Sequence, residues 1–232
     1  MKVFEIKLKV FLLKDIEAKD AQKVVSAFVD RVLANNDDLL EFHEANKFKN
    51  YCFNAPYPIE PDKIYKEGKI YTIIFRTIDS KLANLFNGKM VNAYDNEIKA
   101  LTAEIKIIPQ RQIERIYSIT PMIIKNDSGY WKNEISINEF EKRFRENLIK
   151  KYNNILNTKI DEDFQLYTNI EFNNKAPIPT RYKNITLLGD KVTLYVAENS
   201  MAQDIAYMSL GTGIGAMNPR GYGFVNYQYL KL

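Results

Sequence analysis

Five of the chain's nine glycines lie within fourteen residues near its C-terminus, Gly211–Phe224. Glycine allows the backbone to adopt positive φ angles and to approach a ligand closely. Backbone N–H groups in such a segment can point at phosphate oxygens, and an arginine can add a charged fork. The alternative is a tight hairpin that needs its glycines only for turn geometry. If the segment binds a phosphate backbone, the expected contacts are Gly211, Gly213, Gly215, Asn218, Arg220, Gly221 and Gly223.

The same segment contains the spacing of a dinucleotide-binding fingerprint, at Gly211, Gly213 and Ala216. That fingerprint needs a strand before it and a long helix after it, followed by a second strand. Here Pro219 and Gly221 follow at once, so no long helix can form. A Gly-Lys-Ser/Thr sequence is also absent, which excludes a P-loop. The sequence therefore predicts no nucleotide cofactor.

Composition limits the chemistry further. The 232 residues carry a net charge of +4, which predicts a local basic patch if a nucleic acid is bound. One histidine, His43, and one cysteine, Cys52, exclude a zinc site built on several such ligands, so no metal is expected. No apolar run reaches the length of a membrane span, and the N-terminal residues do not resemble a signal peptide. We therefore expect a cytoplasmic protein with no membrane contact.

The pattern of apolar residues predicts an α+β fold. Alternation over residues 2–12 predicts a strand, and residues 21–33 have the spacing of an amphipathic helix. Later segments repeat this order, so we expect two tandem ferredoxin-like domains, residues 1–120 and 121–232, with the glycine-rich loop in the second. Asp79 and Ser136 are predicted to begin helices, and Gly88 to end one. Arg76 is either a phosphate contact or an ordinary edge-strand charge, and we favour the latter. Trp131 and Phe144 are expected in the core rather than as RNA-stacking platforms, and Cys52 is expected to be buried.

Two parts of the chain resemble a known family. The loop that ends in Gly221-Tyr-Gly-Phe224 resembles that of the CRISPR-associated endoribonucleases that cut precursor CRISPR RNA. These enzymes belong to the repeat-associated mysterious protein superfamily. The residues after the first predicted helix, Phe42-His-Glu44 and 47–53, are also similar, because family members often carry a histidine there and a lysine soon after it. The resemblance implies one or two ferredoxin-like domains and cleavage of CRISPR repeat RNA without a metal.

The resemblance also implies roles for named residues. In this family the 2′-hydroxyl attacks the adjacent phosphate and leaves a 2′,3′-cyclic phosphate and a 5′-hydroxyl. His43 would be the general base or acid, since its reference pKa lies near neutrality. Lys47 or Lys49 would stabilise the developing charge, and Lys49, six residues after His43, fits the family's spacing better.

In one respect the chain departs from the family. Some members place a tyrosine on the first helix, whereas residues 21–33 contain none, which leaves Tyr51 or Tyr57 as substitutes. The alternative function is a non-catalytic RNA-binding subunit of a CRISPR effector complex, which has no need of His43. Other CRISPR subunits and a second copy of the chain are the further partners to expect. A third possibility is a housekeeping RNA-binding or protein-interaction module of ferredoxin-like fold. Its version as a common RNA-recognition domain is disfavoured, because no pair of Gly-Phe-x-Phe motifs is present.

Overall fold

Two four-stranded antiparallel sheets carry the fold of the computed structural model, which describes residues 1–34, 48–124 and 129–231. In the first half, the strands of the main sheet have the order β3-β5-β1-β6, and α1 and α2 pack on one face. The elements of this half are β1 (Val3–Leu12), β2 (Ile16–Glu17), α1 (Ala21–Ala34), β3 (Tyr51–Phe53), β4 (Ile64–Tyr65), β5 (Ile70–Thr77), α2 (Ser80–Asn87) and β6 (Ile98–Ile108).

The second half repeats the arrangement. Its main sheet has the order β12-β7-β11-β8, and β9 and β10 form a separate hairpin. In both main sheets the first strand of the unit lies between the third and the fourth, which is the ferredoxin-like pattern that the sequence predicts. The elements are β7 (Ile113–Ser118), α3 (Ile137–Leu156), β8 (Tyr167–Phe172), β9 (Ile178–Tyr182), β10 (Ile185–Gly189), β11 (Val192–Val196), α4 (Ser200–Thr212) and β12 (Val225–Tyr229).

The sheets divide the chain earlier than the sequence suggests. A division at residue 120 assigns β7 to the first half, but β7 pairs with β11 and β12 of the second sheet. The connection between the two sheets therefore runs between β6 and β7. β6 and β7 read alike in sequence, as consecutive strands, so their partners cannot be inferred from the local pattern.

Local signals for helix ends are confirmed. The Asp79 carboxylate accepts hydrogen bonds from the backbone N–H groups of Lys81 and Leu82, and Gly88 ends α2. The Ser136 hydroxyl accepts the N–H of Glu139 at the start of α3. These bonds satisfy N–H groups that have no partner within the helix.

Arg76 lies on an inner strand, not on the edge strand that the sequence predicts. The sequence predicts an edge-strand charge, but β5 is an inner strand and Arg76 is only 3% exposed. Its guanidinium pairs with Glu5 of β1 and also donates to the carbonyl of Val225 and the side chain of Asn226 in β12. Burial alone would raise the pKa of Glu5, but Arg76 and Lys106 beside it bring that pKa below its usual value. Arg76 thus joins the two halves of the chain.

We predict that Arg76→Met lowers the free energy of unfolding by about 3–5 kcal/mol, because Glu5 is left buried with little compensation. Urea denaturation measures the change. Lys150→Met is the control: it removes an exposed ion pair with Glu146 and should cost less than about 1 kcal/mol.

The double variant Glu5→Gln/Arg76→Met should recover part of the loss, since no buried charge remains. A loss for Arg76→Met as small as that for Lys150→Met would contradict the assignment of Arg76 as the link between the sheets.

Candidate nucleic-acid interface

The glycine segment, Gly211–Phe224, is folded against the protein rather than projecting from it. Helix α4 continues through Gly211 to Thr212, so the first two residues of the segment are helical. A 3₁₀ turn at Asn218–Arg220 follows, and the segment then leads into β12. Gly211 lies where α4 crosses the first sheet, and a Cβ there would come within 2.7 Å of Ile78. This glycine therefore permits close packing of a helix, and it is buried.

The other four glycines of the segment have positive φ angles. At each one, an added Cβ would meet protein atoms at short range: Asn218 at Gly213, Met122 at Gly215, and Phe53 at Gly221. At Gly223 it would overlap the carbonyl oxygen of Ile214. Turn geometry and tight internal packing therefore account for these glycines, which is the alternative that the sequence leaves open. Contact between their backbone and RNA stays a prediction.

A buried lysine holds the segment together. The ammonium of Lys151, on α3, donates to the carbonyl of Gly213 and to the side-chain oxygen of Asn218, each at 2.8 Å. The Asn218 amide in turn donates to the carbonyls of Ile214 and Tyr222. Lys151 is 2% exposed, and burial lowers the pKa of its ammonium to about 7. Asn218 is buried as well, so its place is within the segment and not on its surface.

Arg220 ties the segment to α1. Its guanidinium pairs with the carboxylate of Asp30, and both side chains are about one third exposed. Beside this pair lies a cleft of about 180 Å³ between α1, the β9–β10 hairpin and the glycine segment. The face of α1 that lines it presents residues spaced three, four and seven apart, as one side of a helix must. These residues are Lys23, Ser26, Ala27 and Asp30.

The cleft combines cations with aromatic rings. Arg181, Tyr182 and Lys183 line it from the hairpin, and Arg220 and Tyr222 line it from the glycine segment. The Tyr222 hydroxyl donates to the carbonyl of Arg181, which fixes the hairpin against the segment. The Tyr222 ring is only 1% exposed, whereas Tyr182 is half-buried, so Tyr182 is the ring of this lining that a base can reach. Cations that track a phosphate backbone and accessible rings that stack on bases are the parts from which single-stranded nucleic-acid sites are built. We refer to this cavity as the basic cleft.

The predicted catalytic residues are only partly described. His43 and Lys47 lie outside the described residues. Lys49 is half-buried two residues before β3, and partial burial and the nearby charge of Arg220 lower its pKa. The structure therefore brings Lys49 to the same region as Arg220, although 171 positions separate them in sequence.

The two tyrosines considered as substitutes differ in position. Tyr51 is buried, and burial together with the charge of Asp30 raises the pKa of its phenol. Tyr57 is exposed and bridges to Thr72 of β5. Tyr182 lines the basic cleft, whereas neither Tyr51 nor Tyr57 does.

The comparisons with known proteins agree with this architecture. A family model described as CRISPR associated protein Cas6, C-terminal, matches residues 103–227, which is more than half of the chain. The chain belongs to the Cas6 family. A comparison with curated protein sequences found no match.

Solved structures resemble this Cas6 protein over nearly its whole length. One described as CRISPR associated protein Cas6 superposes with a TM-score of 0.71 at 18% identity, covering 97% of this chain and 99% of the other. One described as an RAMP protein binding different RNA substrates gives 0.73 at 16% identity, with the same coverage. The product of a Cas6-related gene from Pyrococcus furiosus gives 0.69 at 15%, covering 97% and 98%. At these identities the likeness shows the fold alone, and it supports the tandem ferredoxin-like architecture.

Within the described part of the Cas6 chain, no helix has both the length and the apolar character needed to cross a membrane. In the same residues, no three His, Cys, Asp or Glu side chains are grouped as potential metal ligands.

Two features of this Cas6 protein do not follow from the patterns in its sequence. Lys151 reads as one of several lysines on the charged side of an amphipathic helix, and its burial follows only from the packing of α3 on the glycine segment. The β9–β10 hairpin was not predicted at all. Its basic and aromatic run, Arg181-Tyr-Lys183, is the signal that could have indicated it.

We predict that Gly223→Ala lowers the free energy of unfolding by several times more than Gly68→Ala. Both glycines have similar positive φ angles, so each variant bears a conformational cost of about 1 kcal/mol. Only at Gly223 does the new methyl group also overlap the backbone of Ile214, because nothing lies within 4 Å of a Cβ at Gly68. Thermal unfolding without RNA measures both variants, and equal losses would show that tight packing does not explain Gly223.

Proposed function

We propose that this protein is a metal-independent endoribonuclease that cuts CRISPR repeat RNA. Membership of the Cas6 family supports a role in CRISPR RNA processing. The observation that carries the finer proposal is the basic cleft, in which two widely separated parts of the chain, α1 and the glycine segment, meet beside Lys49. His43 lies in the stretch that connects α1 to Lys49. A phosphate bound in this cleft would meet cations from three elements and the ring of Tyr182, and the stretch of sequence that contains His43 leads directly to Lys49.

The proposed chemistry uses the RNA's own nucleophile. The 2′-oxygen loses its proton and forms a bond to phosphorus, while the bond from phosphorus to the 5′-oxygen breaks. The products are a 2′,3′-cyclic phosphate and a 5′-hydroxyl, so the proposed reaction consumes no water and requires no metal. His43 takes or gives the proton, and Lys49 neutralises charge on the phosphorane oxygens.

Binding follows from the charges of the basic cleft. Positive charge lies on three separate elements of the cleft, namely on Lys23, on Arg181 and Lys183, and on Arg220. The phosphates of a bent RNA backbone can therefore contact these cations one after another. Arg220 is paired with Asp30, so a phosphate that contacts this guanidinium shares it with a carboxylate. The contribution of Arg220 to affinity is therefore smaller than that of an arginine without such a partner.

We predict that the protein makes one discrete cut in a CRISPR repeat RNA in the presence of EDTA, because the proposed reaction uses no metal.

We predict that His43→Ala slows single-turnover cleavage by roughly 10²–10⁴-fold with little change in binding, because the reaction loses a proton-transfer group. Lys49→Ala should slow the same step more than Lys47→Ala, because Lys49 lies near Arg220. Gel analysis of end-labelled RNA and a filter-binding assay measure both quantities.

Loss of cutting in EDTA with recovery in magnesium would overturn the mechanism, and an unchanged rate for His43→Ala would remove this residue from it. Tight binding without any cut would favour the alternative, a non-catalytic RNA-binding subunit. One relative in fold is described as a protein that binds different RNA substrates, which makes this outcome a concrete competitor.

We predict that Arg220→Ala stays folded, binds repeat RNA several-fold more weakly and lowers the slope of log Kd against log salt by up to about one. Lys69→Ala is the control, since Lys69 also pairs with a carboxylate, that of Glu60, but does not line the basic cleft. Arg220→Lys should retain most of the salt slope. Identical salt slopes for Arg220→Ala, Lys69→Ala and wild type would show that Arg220 makes no phosphate contact.

A further inference from the structure

The buried ammonium of Lys151 donates hydrogen bonds only to neutral oxygen atoms of the glycine segment. Its hydrogen-bond acceptors are the carbonyls of Gly213 and Gly215, at 2.8 and 3.4 Å, and the side-chain oxygen of Asn218, at 2.8 Å. All three belong to the glycine segment, and all three are neutral. Among the described residues, Lys151 forms no ion pair with a carboxylate. In the described part of the chain, therefore, no acidic side chain neutralises the buried ammonium of Lys151.

The group that faces this ammonium from the first half of the chain is the Cys52 thiol on β3. The thiol donates a long hydrogen bond to the carbonyl of Leu210 in α4, and burial raises its pKa to about 12. It is therefore neutral near pH 7. Arg76 of β5 acts on the same thiol, and Arg220, within the segment itself, is paired with Asp30 of α1. None of these groups supplies negative charge to Lys151 itself.

Protonation decides how well Lys151 holds the segment. A lysine ammonium has three N–H donors and no lone pair, which matches three acceptors. A neutral amine has two donors and a lone pair, so one of the three oxygens would lose its bond. An unpaired positive charge in a poorly polarisable interior also acts over a longer range than a charge in water.

We propose that Lys151 is a positioning residue for RNA binding: its ammonium fixes the glycine segment in the form that lines the basic cleft, and RNA phosphates bound there supply negative charge that no carboxylate among the described residues supplies to it. This inference rests on the proposed function, because it takes the RNA to bind at the basic cleft. It assigns no chemical step to Lys151, which acts through the segment and its Arg220 and Tyr222.

A consequence is that RNA binding and protonation are linked. Burial lowers the pKa of Lys151 to about 7 in the free protein, and a bound anion must raise it. The complex then holds more protons than the separate partners at pH 7–8, so binding takes up protons and affinity falls as pH rises. If bound RNA raises this pKa by one unit, affinity between pH 7 and pH 9 falls by about fivefold from this source.

The test uses His43→Ala as background, which prevents cleavage during titration and removes the proton uptake of that histidine. The enthalpy of binding a CRISPR repeat RNA is measured by calorimetry at pH 7.5 in two buffers of different ionisation enthalpy. The difference between the two binding enthalpies gives the number of protons taken up. We expect a fraction of a proton, and we expect Lys151→Met in the same background to lose most of it and to bind several-fold more weakly.

The matched control is Lys150→Met. Lys150 is the preceding residue of α3, is mostly exposed and pairs with Glu146. It should leave proton uptake unchanged. Since Lys49 and other groups contribute equally in both backgrounds, the difference between Lys151→Met and Lys150→Met isolates Lys151.

The outcomes separate this inference from the proposed function. A folded Lys151→Met variant with the affinity and proton uptake of its control would overturn the inference. If Lys151→Met fails to fold, the His43→Ala protein alone decides: affinity that does not change between pH 6.5 and 8.5 would exclude the linkage. Cleavage by wild type with no such linkage leaves the proposed function in place, whereas absence of RNA binding overturns both.

Discussion

The buried guanidinium of Arg76 is the contact on which the relation between the two halves depends. It pairs with Glu5 in the first sheet and donates to Val225 and Asn226 in the second, and its charge lies 4.5 Å from the centre of the Phe224 ring. Phe224 ends the glycine segment, so the same contact fixes the end of that segment. The basic cleft contains residues from both halves, and its shape therefore depends on this junction.

The interior of the glycine segment contains two polar side chains in addition to apolar ones. Lys151 and Asn218 occupy its interior and satisfy its carbonyl groups. A buried polar network of this kind is stable only when each member has its partner, which gives it one arrangement rather than several. The positive φ angles of the glycines follow from the same requirement, because the chain must turn tightly around the two side chains.

Sequence and structure agree where the determining interactions are local. Asp79 and Ser136 cap helices because their side chains reach N–H groups two or three residues away, which a sequence shows directly. The alternation in β1 and the periodicity of α1 follow likewise from which side of each element is buried. The order of elements was therefore sufficient to predict two ferredoxin-like units.

The remaining features depend on contacts between distant parts of the chain. Arg76 has the local sequence of an ordinary strand residue, and its burial depends on Val225, 149 positions away. The pairing of β7 with the second sheet, the burial of Lys151 and the closeness of Lys49 to Arg220 are of the same kind. The catalytic part of the site stays a prediction, since His43 and Lys47 lie outside the described residues. Sequence patterns show which faces are apolar, but they do not show which elements meet.

The distribution of the basic cleft along the chain has a consequence for synthesis. Its lining comes from residues near positions 23–30, 181–183 and 220–222, and β12, which anchors the segment, is the last strand of the chain. During translation the first sheet can assemble while Glu5 and Arg76 still lack their partners in β12. Closing contacts over so many residues is slow compared with forming hairpins and helices. A chain that lacks β12 therefore presents folded ferredoxin-like parts but not the assembled basic cleft, so the proposed RNA-binding surface forms only once β12 has been made.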